Sequence, residues 1–210
     1  MKRAMDVVGS VLGALLLAPV ALVVAGVIWF HFGSPVLFRQ ERAGRGGMPF
    51  TVVKFRTMRP QTRVSESDAE RLSAVGRVLR SSSLDEIPQL WNVLRGEMSL
   101  IGPRPTLPEQ VVHYTARQRG RLEVRPGLSG WAQVRGRNGL SWPERIELDL
   151  WYVANRSLLL DLRIVGLTLR QLVRPSGVTG TGGVNPGFPH LPDPLATEPL
   201  RLTPIREDHL

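Results

Sequence analysis

The dominant feature of the hydrophobic pattern comes first. From residue 7 to residue 32 the chain carries no acidic or basic side chain except His31, and this run exceeds the ~20 residues that cross a hydrocarbon core as a helix. A secretory leader fits poorly, because its apolar core is only ~7 to 15 residues long and no small-residue cleavage site follows Gly33. The segment is therefore expected to enter a membrane. Pro19 lies at its middle, where it removes the hydrogen bond to the Leu15 carbonyl and costs ~3 kcal/mol in a regular helix, so a bend is expected there.

Beyond this run the period shortens. Residues 35–40 and 49–55 read as two strands of a β-hairpin, joined by the glycine-rich stretch at 43–48. Those glycines lack dinucleotide-loop spacing and no P-loop lysine follows, so they read as a turn. After a polar loop at 59–68, Leu72, Val75 and Leu79 recur at helical spacing and predict one amphipathic helix over 69–80. A second helix should begin near 84–86 and stop at Gly96. Ser141 and Glu144 have capping-box spacing with Pro143 in the first turn, which predicts a helix carrying Glu147, Asp149 and Tyr152. Residues 157–173 form an apolar helix with Arg163, Arg170 and Arg174 on one face, suited to the membrane surface or to the core. The chain then turns rich in glycine and proline and reads as an irregular tail. The expected units are a membrane helix over 1–34, a catalytic domain over 35–177 and a tail over 178–210. The fold class is α/β and membrane-associated, with a small β-hairpin and several amphipathic helices around one active site.

Charge changes the picture in two ways. The formal charge is +9, and of 27 basic residues only Lys2 and Lys54 are lysines, so the chain is built to meet an anion through arginine. Nucleic acid, an anionic membrane and a phosphorylated small molecule all suit that balance. Basic residues also flank the apolar run on both sides, Lys2 and Arg3 before it and Arg39, Arg42 and Arg45 after it. A straight span would carry one cluster across the bilayer against the positive-inside bias, whereas a helix broken near Pro19 returns both to one side. A kinked single span remains the alternative on these grounds. The absence of cysteine excludes thiolate nucleophiles, disulfides and cysteine metal sites, and the four histidines are scattered without metal-site spacing.

The chemistry concentrates at Asp85 and Glu86, in the first turn of the second predicted helix, with Asp85 as a candidate N-cap ahead of Pro88. Acidic residues at such positions are commonly caps worth ~0.3 to 1 kcal/mol, and on spacing alone that is the simpler reading. The same helix start also favours a phosphate and an ionised carboxylate, and the two carboxylates could converge on one Mg2+.

The residues in order resemble the monotopic phosphoglycosyl transferases, the bacterial sugar transferases that start glycan assembly on a lipid carrier. The likeness spans residues 2 to about 174. It is carried by the apolar segment, the Phe38-Arg-Gln and Lys54-Phe-Arg-Thr-Met stretches, Ser83-Leu-Asp-Glu-Ile-Pro-Gln-Leu-Trp-Asn, Gly102-Pro-Arg-Pro, Arg125-Pro-Gly-Leu-Ser-Gly-Trp, and Gly136-Arg-Asn. The resemblance implies a re-entrant helix and catalysis by Asp85 on a UDP-sugar, with release of UMP and a covalent phosphosugar intermediate that polyprenyl phosphate then collects. It implies that Glu86 binds Mg2+ with Asp85 or assists proton transfer, that Lys54, Arg80, Arg104 and Arg137 contact phosphates, and that Asp149 belongs to the polar shell of the substrate site. It further implies the cytoplasmic face of the bacterial inner membrane, contact with membrane lipid, no role for nucleic acid, and leaves a homodimer open. One departure from the family pattern is Ala18 before Pro19 where serine is common, which removes a hydroxyl able to satisfy a freed carbonyl. The competing classes are a transferase that uses the acidic pair for metal alone, and a membrane-anchored basic protein that grips anionic lipid or nucleic acid.

Overall fold

The computed structural model describes residues 1–63, 66–136 and 139–173. The apolar run folds as α1 (Lys2–Phe32), one helix with Pro19 inside it and Gly33 at its end with φ 70°. The helix is not interrupted at Pro19, where a break was expected. At 1.5 Å per residue α1 is about 46 Å long, and it is the one helix among the described residues long and apolar enough to cross a membrane. Its burial is uneven. Asp6 and Ser10 near one end and Val24 and Ile28 near the other are buried against the rest of the chain, whereas Leu15, Leu16, Leu22 and Val23 between them are exposed.

The hairpin forms as read. β1 (Leu37–Ala43) pairs antiparallel with β2 (Pro49–Phe55), and Phe38, Gln40 and Arg42 stand opposite Lys54, Val52 and Phe50. Phe55 turns the other way and packs with Leu79 against Val24 and Ile28 of α1. The single amphipathic helix expected over 69–80 is two: α2 (Asp68–Arg71) and α3 (Ala74–Ser81). Ser73 breaks them, its hydroxyl accepting from the Gly76 N–H at 3.0 Å to cap α3. Gly76 lets α3 press on the preceding loop, for a Cβ there would lie 1.9 Å from the Thr57 carbonyl oxygen.

Asp85 does not cap a long helix. Leu84–Glu86 is an isolated 3-10 turn, followed by α4 (Gln89–Arg95), which begins after Pro88 and ends at Gly96 with φ 84°. Asn92 locks α4 to the free edge of β2 by accepting from the Val53 N–H at 3.1 Å and donating to the Thr51 carbonyl at 2.7 Å. The amide thus acts as a short piece of a third strand.

β3 (Ser99–Ile101) pairs parallel with β4 (Gly127–Ser129). Their backbones approach so closely that a Cβ on Gly127 would lie 2.1 Å from the Gly102 nitrogen, which accounts for the glycines in both sequence blocks. Between the two strands run α5 (Pro108–Val111), α6 (Ala116–Arg119) and a 3-10 turn at Gly120–Leu122. After β4 come α7 (Trp131–Gly136), α8 (Trp142–Asn155) and α9 (Leu158–Val173). The capping box that Ser141 and Glu144 predict is present. Ile101, Trp131, Val134, Tyr152, Leu160 and Ile164 make the largest buried cluster. α9 therefore packs on the core through Leu160 and Ile164, as one of the two suggested environments requires, while Leu159, Leu162, Leu169 and Leu172 remain exposed. Arg174 and the tail lie outside the described residues.

Candidate active site

The hairpin, the 3-10 turn and the β3 loop meet around an open cleft of about 1230 Å³. Strand alternation aims Phe38, Gln40, Arg42 and Lys54 from one face of the hairpin, and all four line the cleft. Lys54 Nζ sits 5.4 Å from the centre of the Phe38 ring. Arg42 is braced by the Gln40 side chain at 2.6 Å. The Asn92 tie to β2 brings the turn that begins the same segment against this face. Ser83, which precedes the turn, has φ 58°, the one positive value at a non-glycine among the described residues.

Asp85 is only 6 % exposed. Among the described residues no side chain hydrogen-bonds its carboxylate, although Lys54, Arg104 and Arg80 all act on it electrostatically. Burial, followed by the neighbouring Glu86, pushes the Asp85 pKa up to about 6 against the pull of those three cations. Lys54 is shifted the opposite way, down to about 8, by burial, with Asp85 partly restoring it. Glu86 is committed elsewhere: its Oε1 accepts from Arg104 Nη2 at 2.6 Å, and this pairing raises the Arg104 pKa. Arg80 donates through Nε to Thr57 Oγ1 at 3.0 Å, and burial lowers its pKa.

Of the residues singled out from sequence, Lys54, Arg80, Asp85, Glu86, Arg104 and Asp149 all line this cleft. Arg137 lies outside the described residues. Asp149, on α8, is buried and ion-paired with Arg121 at 2.5 Å, and burial raises its pKa while Arg121 opposes the rise. Sequence reading missed Arg42 and Arg121. Arg42 had a signal, since it shares the strand face of Phe38; burial followed by Arg104 lowers its pKa to about 10. Arg121 had none, because it sits in an irregular turn. Apolar side chains also line the cleft, among them Leu17 of α1, Leu90 of α4 and Val165 and Leu169 of α9.

Asp85 and the Glu86 oxygen that Arg104 does not hold are the adjacent carboxylate groups that could meet a divalent cation here; among the described residues no group of three or more acidic, histidine or cysteine side chains has metal-binding geometry. Two adjacent carboxylates suit Mg2+, which takes one or two from a protein and the rest of its shell from phosphate and water. The residues fit such an ion only alongside a phosphorylated substrate.

A sequence family described as bacterial sugar transferase matches residues 1–175. The chain is 43% identical over 187 residues to the uncharacterized sugar transferase EpsL of Bacillus subtilis (strain 168), covering 88% of this chain and 93% of that protein. It is 44% identical over 185 residues to the UDP-glucose:undecaprenyl-phosphate glucose-1-phosphate transferase of Caulobacter vibrioides, covering 82% of this chain and 69% of that one. It is 38% identical over 188 residues to the exopolysaccharide production protein ExoY of Sinorhizobium fredii, covering 80% and 83%.

Proposed function

The chain belongs to the bacterial sugar transferase family, and from that premise we propose that this enzyme moves a sugar-1-phosphate from a UDP-sugar to undecaprenyl phosphate, through a covalent intermediate on Asp85. The observation that carries the choice of nucleophile is the contrast within the acidic pair. Glu86 is held by Arg104, whereas Asp85 is buried in the cleft, without a hydrogen-bond partner among the described residues, and acted on by Lys54, Arg80 and Arg104.

In the first half-reaction an Asp85 carboxylate oxygen attacks the β-phosphorus and the bond from that phosphorus to the bridging oxygen breaks, releasing UMP. The sugar phosphate then resides on Asp85 as an acyl phosphate. In the second half-reaction a phosphate oxygen of the lipid carrier attacks the same phosphorus, breaks the acyl bond and regenerates the carboxylate. Lys54, Arg80 and Arg104 offset the negative charge that would otherwise keep a carboxylate from a diphosphate. A Mg2+ held by Asp85 and Glu86 would add to that neutralisation when substrate is bound. Splitting the transfer lets the soluble donor and the lipid acceptor use one cleft in turn, and the apolar side chains that α1 and α9 add to its lining suit the acceptor's chain.

The re-entrant reading of α1 draws support from its attachments. At its start Lys2 pairs with Asp161 of α9 at 2.6 Å, Arg3 donates to the Val93 and Leu94 carbonyls, and Asp6 accepts from Ser99 Oγ and the Leu100 N–H. At its end Arg56 donates to the Phe32 and Gly33 carbonyls. A helix fastened at both ends to one domain keeps both ends on that domain's side of a bilayer, the cytoplasmic side by the charge bias, and because α1 runs on through Pro19 the return has to come from curvature at that residue rather than from a break. A membrane-anchored binding protein would leave the buried carboxylate and its three cations without a role. Steady-state kinetics test the two-step scheme: varying UDP-sugar at several acceptor concentrations should give parallel double-reciprocal lines, and intersecting lines with undiminished turnover by Asp85→Asn would contradict it.

A further inference from the structure

We infer that Arg121 is a positioning residue, which fixes the Pro103-Arg104-Pro105 loop so that the Arg104 guanidinium stands ready beside Glu86 for the donor's diphosphate. The inference rests on the proposed use of the cleft by a UDP-sugar and assigns a task to a residue with no place in that scheme.

Prolines at 103 and 105 have no N–H, so this loop cannot brace itself through its own backbone in the usual way. It is held from outside by its carbonyls. The Gly127 N–H donates to the Pro103 carbonyl at 2.8 Å and the Ala43 N–H to the Thr106 carbonyl at 2.9 Å, fixing the two ends. In the middle, Arg121 Nη2 donates to the Arg104 carbonyl at 3.2 Å. The same guanidinium is immobilised by Asp149 at 2.5 Å and by the Tyr114 hydroxyl, to which Nη1 donates at 2.7 Å. Arg121 and Asp149 are each 3 % exposed and Tyr114 is 5 % exposed, so water does not substitute for these bonds. With its backbone held in this way, Arg104 extends a half-exposed side chain to Glu86 at 2.6 Å. A planar guanidinium serves three acceptors at fixed angles, which a single ammonium cannot do. Arg121 thereby acts through Arg104 and touches no substrate.

The test is a double-mutant cycle on the full-length protein in detergent, reading UDP affinity by titration calorimetry and donor KM and kcat by UMP release. Arg121→Lys keeps the charge opposite Asp149 and loses the fixed geometry. It should weaken UDP binding and raise donor KM about tenfold, with kcat changed less than threefold. In an Arg104→Gln background the same substitution should add less than twofold, since the residue it acts through is gone. Tyr114→Phe, a gentler release of the same guanidinium, should give a smaller change in the same direction and serves if Arg121→Lys does not fold. Unchanged UDP affinity in the folded single variants, or a full tenfold loss that persists in the Arg104→Gln background, would overturn the inference. Wild-type protein that binds no UDP would overturn the donor assignment, and this inference with it.

Discussion

A carboxylate and an ammonium that share a partly dry cleft shift each other's charge state, and Asp85 and Lys54 do so in a way activity should report. Asp85 must be ionised to attack, and its pKa stands at about 6, so kcat/KM should fall as pH drops through that value. Lys54 must be charged to offset phosphate, and its pKa stands at about 8, so kcat/KM should fall again as pH rises past it. The profile is therefore expected to be bell-shaped with a maximum near 7. Lys54→Arg, whose guanidinium holds its charge to higher pH than an ammonium in the same place, should extend the alkaline limb, and Lys54→Met should move the acid limb upward by removing a cation that favours ionised Asp85. A profile flat from pH 5 to 9 would sink this assignment. At this scale the sequence was a partial guide. Spacing made Asp85 a helix cap, yet Ser83 in the left-handed region and Pro88 confine it to a single 3-10 turn, a conformation that no periodicity announces. The ordered sequence blocks singled it out as a candidate nucleophile where spacing alone offered a cap.

Elements were legible wherever a local signal set them. The hairpin follows from alternation around a glycine turn, and α8 from its capping box. The division between α2 and α3 was hidden because the apolar spacing of Leu72, Val75 and Leu79 continues across it, while Ser73 supplies a new cap. Docking between elements depends on contacts remote in sequence, and Asn92 is the clearest example. Asn92→Ala would leave the part-buried Val53 N–H and Thr51 carbonyl without their partner and should cost about 1 to 3 kcal/mol. Because α4 follows the turn that bears Asp85, turnover should fall by at least tenfold in protein that remains folded. Chemical denaturation and UMP release on one preparation check both effects, and a variant with wild-type stability would show that Asn92 does not anchor α4.

For the whole molecule, α1 unites the membrane and the site. It is apolar on its outer side, polar at its anchored start, and it contributes Leu17 to the cleft. The charge pattern suggested that its ends lie on one side of the bilayer, but the partners that hold it could not be read from sequence, since Lys2 meets Asp161 across nearly the entire described chain. The chain has no native cysteine, so Ala4→Cys and Ser34→Cys each provide a unique label. In inverted vesicles, with the cytoplasmic face outward, both should react with an impermeant maleimide, and in right-side-out cells neither should. Labelling of the two positions from opposite sides would establish a span in place of a re-entrant helix.

The proposed covalent step is open to a direct test. Purified protein mixed with a UDP-sugar and Mg2+, without lipid acceptor, should gain the mass of one sugar phosphate in intact mass spectrometry, and lose it when undecaprenyl phosphate is added. Asp85→Asn should show no gain. An unmodified wild-type protein that still turns over, or an adduct that persists in Asp85→Asn, would contradict the account.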